Sequence, residues 1–277
     1  MPQIINTNVT SLNAQRNLST TNAQLSQAIQ RLSSGMRVNS AKDDAAGLAI
    51  AERMQSQVRG MNVAIRNAND GISMAQVAEG ALGKVSDMLQ RMRELAVQSA
   101  NATNSDSDRL NLDAEYQQLG EEVNRTLNGT RFNGADILAG GAGTQTFQIG
   151  SGTTVNDRFD ITSGDLAGQA EVSDVTDGDI TDADTATTAM DNIDTLLDLI
   201  NSERATWGAA QNRFEAIIAN LQVASENQAA ARSRIMDADF AAETAALTRA
   251  QVLQQAGNAM LSQANQLPAA VLQLLQG

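Results

Sequence analysis

Between Ile50 and Ala96 a single apolar stripe runs without interruption: Ile50, Met54, Val58, Met61, Ile65, Ala68, Ile72, Ala75, Ala78, Leu82, Val85, Leu89, Met92 and Ala96. Its members recur about every 3.5 residues, between the period of a straight helix and that of a strict heptad. No Pro falls inside it. A helix that carries this stripe is about 75 Å long at 1.5 Å per residue, more than an ordinary globule contains. The stripe therefore predicts a mainly α chain built as an elongated helical rod.

The rest of the chain offers partners for that helix. Ile193, Leu196, Ile200, Glu203, Trp207, Ala210, Phe214, Ile217, Leu221, Ala224, Gln228, Ala231 and Ile235 alternate three and four apart, the spacing of a coiled-coil seam. Shorter seams lie near the two ends. Leu18, Leu25 and Leu32, with Ile29 and Met36, form the first. Leu253, Ala256, Met260, Ala264, Leu267, Val271 and Leu274 form the last, which Pro268 is expected to bend or break. Gly35 to Asp44 reads as a break, with Ser40 to Asp43 as a capping box in which Asp replaces Glu. Asn101 to Asp108 reads as a polar turn into a helix with the seam Leu112, Tyr116, Leu119, Val123 and Leu127, closed by Asn128-Gly129. Thr146–Ile149 and Arg158–Ile161 alternate as the strands of a small hairpin. The order predicts an antiparallel arrangement: first segment against last, second against fifth. A narrow pair of terminal helices buries little area, so the ends are expected to order only with lateral neighbours.

Composition excludes much chemistry. The chain has no His and no Cys, so it holds no Ser-His-Asp triad, Cys nucleophile, Cys-based zinc site or zinc-protease helix. No enzyme activity, cofactor or metal is expected. The formal net charge of −13 repels phosphate and argues against nucleic acid. The N-terminus lacks the basic and apolar regions of a signal peptide, and no run of about 18 apolar residues could span a membrane. Residues 141–190 hold nine acids and a single Arg, and Glu171 to Asp184 reads as a solvated acidic loop. That loop does not make a calcium loop, because with Gly178 at the sixth position Ser173 and Val175 stand at the first and third. Asp43 and Asp44 read as carboxylates at the positive end of a helix.

Leu95 stands one residue off the long stripe, about 100° around the helix from Ala96. Arg91 and Gln98 share its face. With the turn centred near residue 105, Glu115 falls opposite it. Leu95 is therefore expected to be exposed and free for an intermolecular contact.

Several strings resemble bacterial flagellins. They are Ile4-Ile5-Asn6-Thr7-Asn8-Val9 with Ser11-Leu12-Asn13-Ala14, Arg31-Leu32-Ser33-Ser34-Gly35, and Asn39 through Ala51. Leu89 through Asn101, Arg131-Phe132-Asn133-Gly134 and the tail from Arg234 to Glu243 are similar too. The resemblance covers about residues 1–140 and 190–277. It implies a secreted structural subunit of the extracellular flagellar filament, a self-assembling helical polymer for motility, exported unfolded through the flagellar channel without a cleaved signal. The hook–filament junction protein, a relative with similar ends, is the alternative. The implied layout is a terminal coiled-coil domain of residues 1–43 and 236–277 that lines the filament core. A helical rod domain of residues 44–143 and 186–235 follows, with a small β and loop region at 144–185 and little or no outer domain.

The resemblance also implies partners. These are identical subunits, the export apparatus and its chaperone, the filament cap, the hook–filament junction proteins and host innate immune receptors. Arg91, Leu95, Gln98 and Glu115 match a patch that packs on neighbouring subunits and that the animal Toll-like receptor for flagellin reads in monomers. Gln30, Arg31, Leu32, Asn39, Lys42, Asp43, Asp44 and Gly47 match the epitope read by the flagellin-sensing receptor kinase of plants. Met36 and Ala49 depart from it. The terminal assembly seam is expected at Leu18, Leu25, Ile29, Leu32, Leu253, Met260, Leu267, Val271 and Leu274.

Overall fold

The computed structural model describes residues 7–140 and 143–276, with only the backbone from 267 onward. The helices are α1 (Val9–Ser34), α2 (Ala45–Ser99), α3 (Asp106–Gly129), α4 (Ala170–Thr176), α5 (Ala183–Met236) and α6 (Phe240–Gln276). The strands are β1 (Arg131–Phe132), β2 (Ala135–Asp136), β3 (Thr144–Gln148) and β4 (Arg158–Thr162). The long stripe thus forms one uninterrupted helix, and the mainly α expectation holds. The chain divides into two compact units, Met1–Ser56 with Asn227–Gly277, and Gln57–Glu226.

In the first unit α1 and α6 pair antiparallel. α1 turns Ser11, Ala14, Leu18, Thr21, Leu25, Ala28 and Leu32 inward at alternating steps of three and four. α6 answers with Glu243, Leu247, Ala250, Gln254, Gly257, Leu261 and Ala264 in the same rhythm. Polar contacts fix the register. Asn8 Nδ2 donates to the Ala264 carbonyl at 2.7 Å, Gln254 Nε2 to Asn22 Oδ1 at 2.8 Å, and Arg31 lies 3.9 Å from Glu243. Asn8 also caps α1, and Gly35 ends it in the left-handed region at φ 71. The connecting segments pair as well. Arg37 N donates to the Met236 carbonyl at 2.7 Å and Ala238 N to the Gly35 carbonyl at 2.9 Å. Val38, Ala51 and Met236 are buried beneath them.

Within the monomer the members of the expected terminal assembly seam divide between two faces. Leu18, Leu25 and Leu32 do face inward, but Ile29, Leu253 and Met260 face solvent. In α6 two lines one residue apart have similar periodicity. The inner one interleaves Leu247 and Leu261 with the small residues Ala250, Gly257 and Ala264, which let the helices approach closely. A Cβ on Gly257 would stand 3.3 Å from Leu18 Cδ1. The side chains of Leu267, Val271 and Leu274 lie outside the described residues. Pro268 does not break α6, which continues to Gln276.

In the second unit α2 is flanked by α5 and α3, both antiparallel to it. Arg93 and Asp194 form a two-bond pair at 2.7 and 3.0 Å, and Gln211 donates to Glu79 at 2.9 Å. Ser105 and Asp108 make a reciprocal capping box at the start of α3. The β3–β4 hairpin pairs Phe147 with Phe159, and both rings pack edge-on against Phe214 of α5, at 5.2 and 4.8 Å. Phe214 in turn occupies the space before Gly71, where a Cβ would stand 2.4 Å from its ring. A second hairpin, β1–β2, was not expected. Its turn residues Asn133 and Gly134 both have positive φ, 50 and 82, and Asn-Gly is the sequence signal for such a turn.

The acidic segment is not a solvated loop. α4 buries Val172 and Val175, and Ile180 beyond it is also buried. Hydrogen bonds to α2 and α3 hold the strap. Tyr116 Oη donates to the Val175 carbonyl at 3.0 Å and Gln117 Nε2 to the Gly178 carbonyl at 2.7 Å. Ile180 N donates to Asp113 at 3.0 Å, and Ser99 Oγ donates to the Ile180 carbonyl at 2.5 Å. The acids occupy the exposed positions between three buried apolar residues, so the charge count concealed a packed element.

Candidate functional site

Three groups of residues were singled out by the sequence, and the structure arranges each differently. At the α2–α3 end, Arg91 and Glu115 do face each other. Arg91 Nε donates to Glu115 Oε1 at 3.0 Å, and Nη1 donates to Glu94 Oε2 at 2.9 Å. The two carboxylates raise the Arg91 pKa through hydrogen bonds, Glu94 first and Glu115 second. The pair is about half exposed, so it contributes little to stability. Gln98 is exposed, and its carbonyl accepts from Asn101 N at 3.2 Å.

Leu95 contradicts its expectation: it is 0% exposed. From Leu82 onward α2 buries Val85, Ser86, Leu89, Met92, Leu95, Ala96 and Ser99. That band is wider than one seam because α2 here faces α5 on one side and α3 with the 174–180 strap on the other. The patch is therefore a polar rim of Arg91, Gln98 and Glu115 over a buried leucine. Val97 and Leu110, exposed apolar residues of α2 and α3, were missed by the sequence reading. Each lay off the seam of its helix.

The second group runs from the end of α1 into α2. Gln30 is exposed, while Arg31 and Leu32 are half-buried toward α6. Asp43 folds the connecting loop back on itself, accepting from Asn39 N at 3.2 Å and from Ser40 N and Oγ at 3.0 Å. These bonds, the Ser40 hydroxyl foremost, hold its carboxyl below the usual value, and the Arg31 charge adds to them. The expected capping box is thus a local turn, and the residue that caps α2 is Asp44, which accepts from Gly47 N at 2.8 Å. Gly47 is buried, and a Cβ there would stand 2.3 Å from the Asp44 carboxylate. Lys42 is exposed.

The third group forms a groove along α1 and α6. Leu18 contributes to it from α1, and Leu253, Ala256 and Met260 from α6. Leu253 is 47% and Met260 62% exposed, and Ile29 on the outer face of α1 is 51% exposed. Leu12 and Val252 add further unpartnered apolar surface. Among the described residues no group of three acids could hold a metal, and no helix is long and apolar enough to cross a membrane.

Comparison with known proteins decides what kind of molecule carries this groove. The bacterial flagellin N-terminal helical region matches residues 5–142, and the C-terminal helical region matches residues 190–275. The chain belongs to the bacterial flagellin family. It is 48% identical over 273 residues to a flagellin of Halalkalibacterium halodurans, covering 99% of this chain and all of that one. It is 42% identical over 285 residues to the flagellar filament 33 kDa core protein of Treponema phagedenis, covering 99% of this chain and all of that one. The crystal structure of Bacillus cereus flagellin is 32% identical, with a TM-score of 0.50, and covers 56% of this chain and 88% of that one. This flagellin is a structural subunit of the extracellular flagellar filament. The hook–filament junction alternative is not better supported.

Proposed function

We propose that this flagellin polymerises by covering the outer face of its α1–α6 pair with neighbouring subunits. The observation that carries the reading is the exposure of Leu253 and Met260 along a groove whose inner seam is already satisfied. Covering the exposed half of each such side chain is worth about 1–2 kcal/mol, and a subunit in a tube repeats the contact with its neighbours. On this reading the terminal unit lines the filament core. The polar rim of Arg91, Gln98 and Glu115 forms a second contact between subunits. In the monomer the same rim is the surface for the animal Toll-like receptor, and the α1–α2 connection is the surface for the plant receptor kinase. Export through the flagellar channel, with its chaperone, and capping of the growing filament complete the proposed partners.

The test is to introduce Leu253→Glu and Met260→Glu and follow polymerisation by electron microscopy after seeding. The variants should melt as the parent does, since both side chains are exposed, yet form no filaments. Normal filaments from the double variant would overturn the reading.

A further inference from the structure

The α5 core line has one ionisable member. Ile193, Leu196, Ile200, Trp207, Ala210 and Phe214 are all buried, and Glu203 occupies the position between Ile200 and Trp207. Its carboxyl meets the loop of residues 163–168: the Gly164 N–H lies beside it, and a Cβ on Gly164 would stand 3.4 Å from Oε1. Glu203 Oε2 is buried and takes no hydrogen bond. On the same turn of α5, Arg204 Nε and Trp207 Nε1 are also buried without a partner. The loop is fastened on another side by Ser163 Oγ, which donates to the Ile137 carbonyl at 2.7 Å. Leu166 N and Ala167 N donate to the Leu138 carbonyl at 3.0 and 3.3 Å.

We propose that Glu203 is a protonation-dependent latch between α5 and the 163–168 loop, seated when the carboxyl is neutral and loosened when it ionises. An ionised carboxylate with one oxygen buried and a single backbone N–H beside it is poorly compensated, whereas the neutral acid loses less on burial. Burial pushes the Glu203 carboxyl above its ordinary value, and the Gly164 N–H opposes this more weakly. No charged side chain of α2, α3 or the β3–β4 hairpin enters that balance. The loop's own acid, Asp165, turns its carboxylate to the Gly168 N–H at 3.0 Å, and the helix's cation is the adjacent Arg204. Because docking raises the pKa, the latch is complete below the unfolded value and is lost as pH rises through the folded one.

The test is hydrogen exchange of the Leu166 and Ala167 amides from pH 4 to pH 8, corrected for intrinsic exchange, in the parent and in Glu203→Gln. Protection should fall severalfold with rising pH in the parent and stay level in the variant. The same pH dependence in both, or none in either, overturns the latch. Should the variant not fold, the Glu203 carboxyl carbon is titrated by NMR in the parent. A midpoint above the unfolded value, coinciding with the loss of loop protection, supports the latch. A midpoint at or below the unfolded value removes it.

Discussion

Truncating Leu95 separates the core of the α2–α3 end from its surface. The side chain is fully enclosed among Met92, Ala96 and the other buried residues of the second unit's core. Leu95→Ala removes three carbons and leaves a cavity that the flanking helices, tied by the Arg93–Asp194 and Arg91–Glu115 pairs, close only in part. Such substitutions cost about 2.7–5 kcal/mol, and about 3 kcal/mol is expected here. For a unit of this size each kcal/mol moves the melting temperature by about 2–4 °C, so circular dichroism at 222 nm should show a loss of about 6–12 °C. Arg91→Ala and Gln98→Ala, on the exposed rim, should each melt close to the parent. A Leu95→Ala protein that melts within a degree of the parent would refute the placement of Leu95 in the core. The consequence for function is practical. A filament or receptor defect in Leu95→Ala would report instability first, and only the rim variants test the contact itself.

Other expectations follow from the same packing. Val175→Ala should cost about 2 kcal/mol in urea unfolding, since the strap is core; an unchanged midpoint would restore the solvated-loop reading. Gly71→Ala drives a methyl into the Phe214 ring and should cost about 1–3 kcal/mol, read by the same melt, with a neutral outcome counting against the Phe147–Phe159–Phe214 cluster. Tyr116 is the chain's one tyrosine, so absorbance at 295 nm reports its phenol alone. Burial, with the charges of Asp113 and Asp179 adding to it, pushes that phenol up to about 12. Folding stability from this group is whole below the unfolded value near 10 and declines as pH rises through about 12, and a midpoint near 10 in folded protein would deny the burial of the phenol. Asp43, Asp108 and Asp157 are held below the usual carboxylate value, chiefly by the hydroxyls of Ser40, Ser105 and Thr154. Their contribution is therefore present above about pH 4 and lost on acidification through the folded values, which carboxyl NMR titration would show as three low midpoints.

The helices were legible because their apolar residues repeat at one period over many turns, as from Ile50 to Ala96. The β3–β4 hairpin was legible from alternation. What failed was the choice between neighbouring lines. Leu95 was misjudged because a seam drawn for one partner cannot reveal that α2 has two. Leu253 and Met260 form the outer line of α6; the inner line, Leu247, Ala250, Gln254, Gly257, Leu261 and Ala264, runs at a similar period beside it, and period alone does not say which line meets α1. Val172, Val175 and Ile180 were hidden by the acids between them. In each case the period was visible and the number of covering elements was not. The candidate site was legible as a set of residues, since Arg91 does meet Glu115 and Asp44 does cap α2, but the exposure of its members depended on packing.

The central claim, that the outer face of α1 and α6 is covered on assembly, can be measured directly because the chain has no Cys. Met260→Cys places one thiol in the groove, and Val155→Cys places one at a position 87% exposed in the other unit. Maleimide labelling rates are compared in monomers and in seeded filaments. Met260→Cys should label quickly in the monomer and at least about tenfold more slowly in the filament, with Val155→Cys as the reference for general access. Equal labelling of Met260→Cys in monomer and filament would contradict the claim.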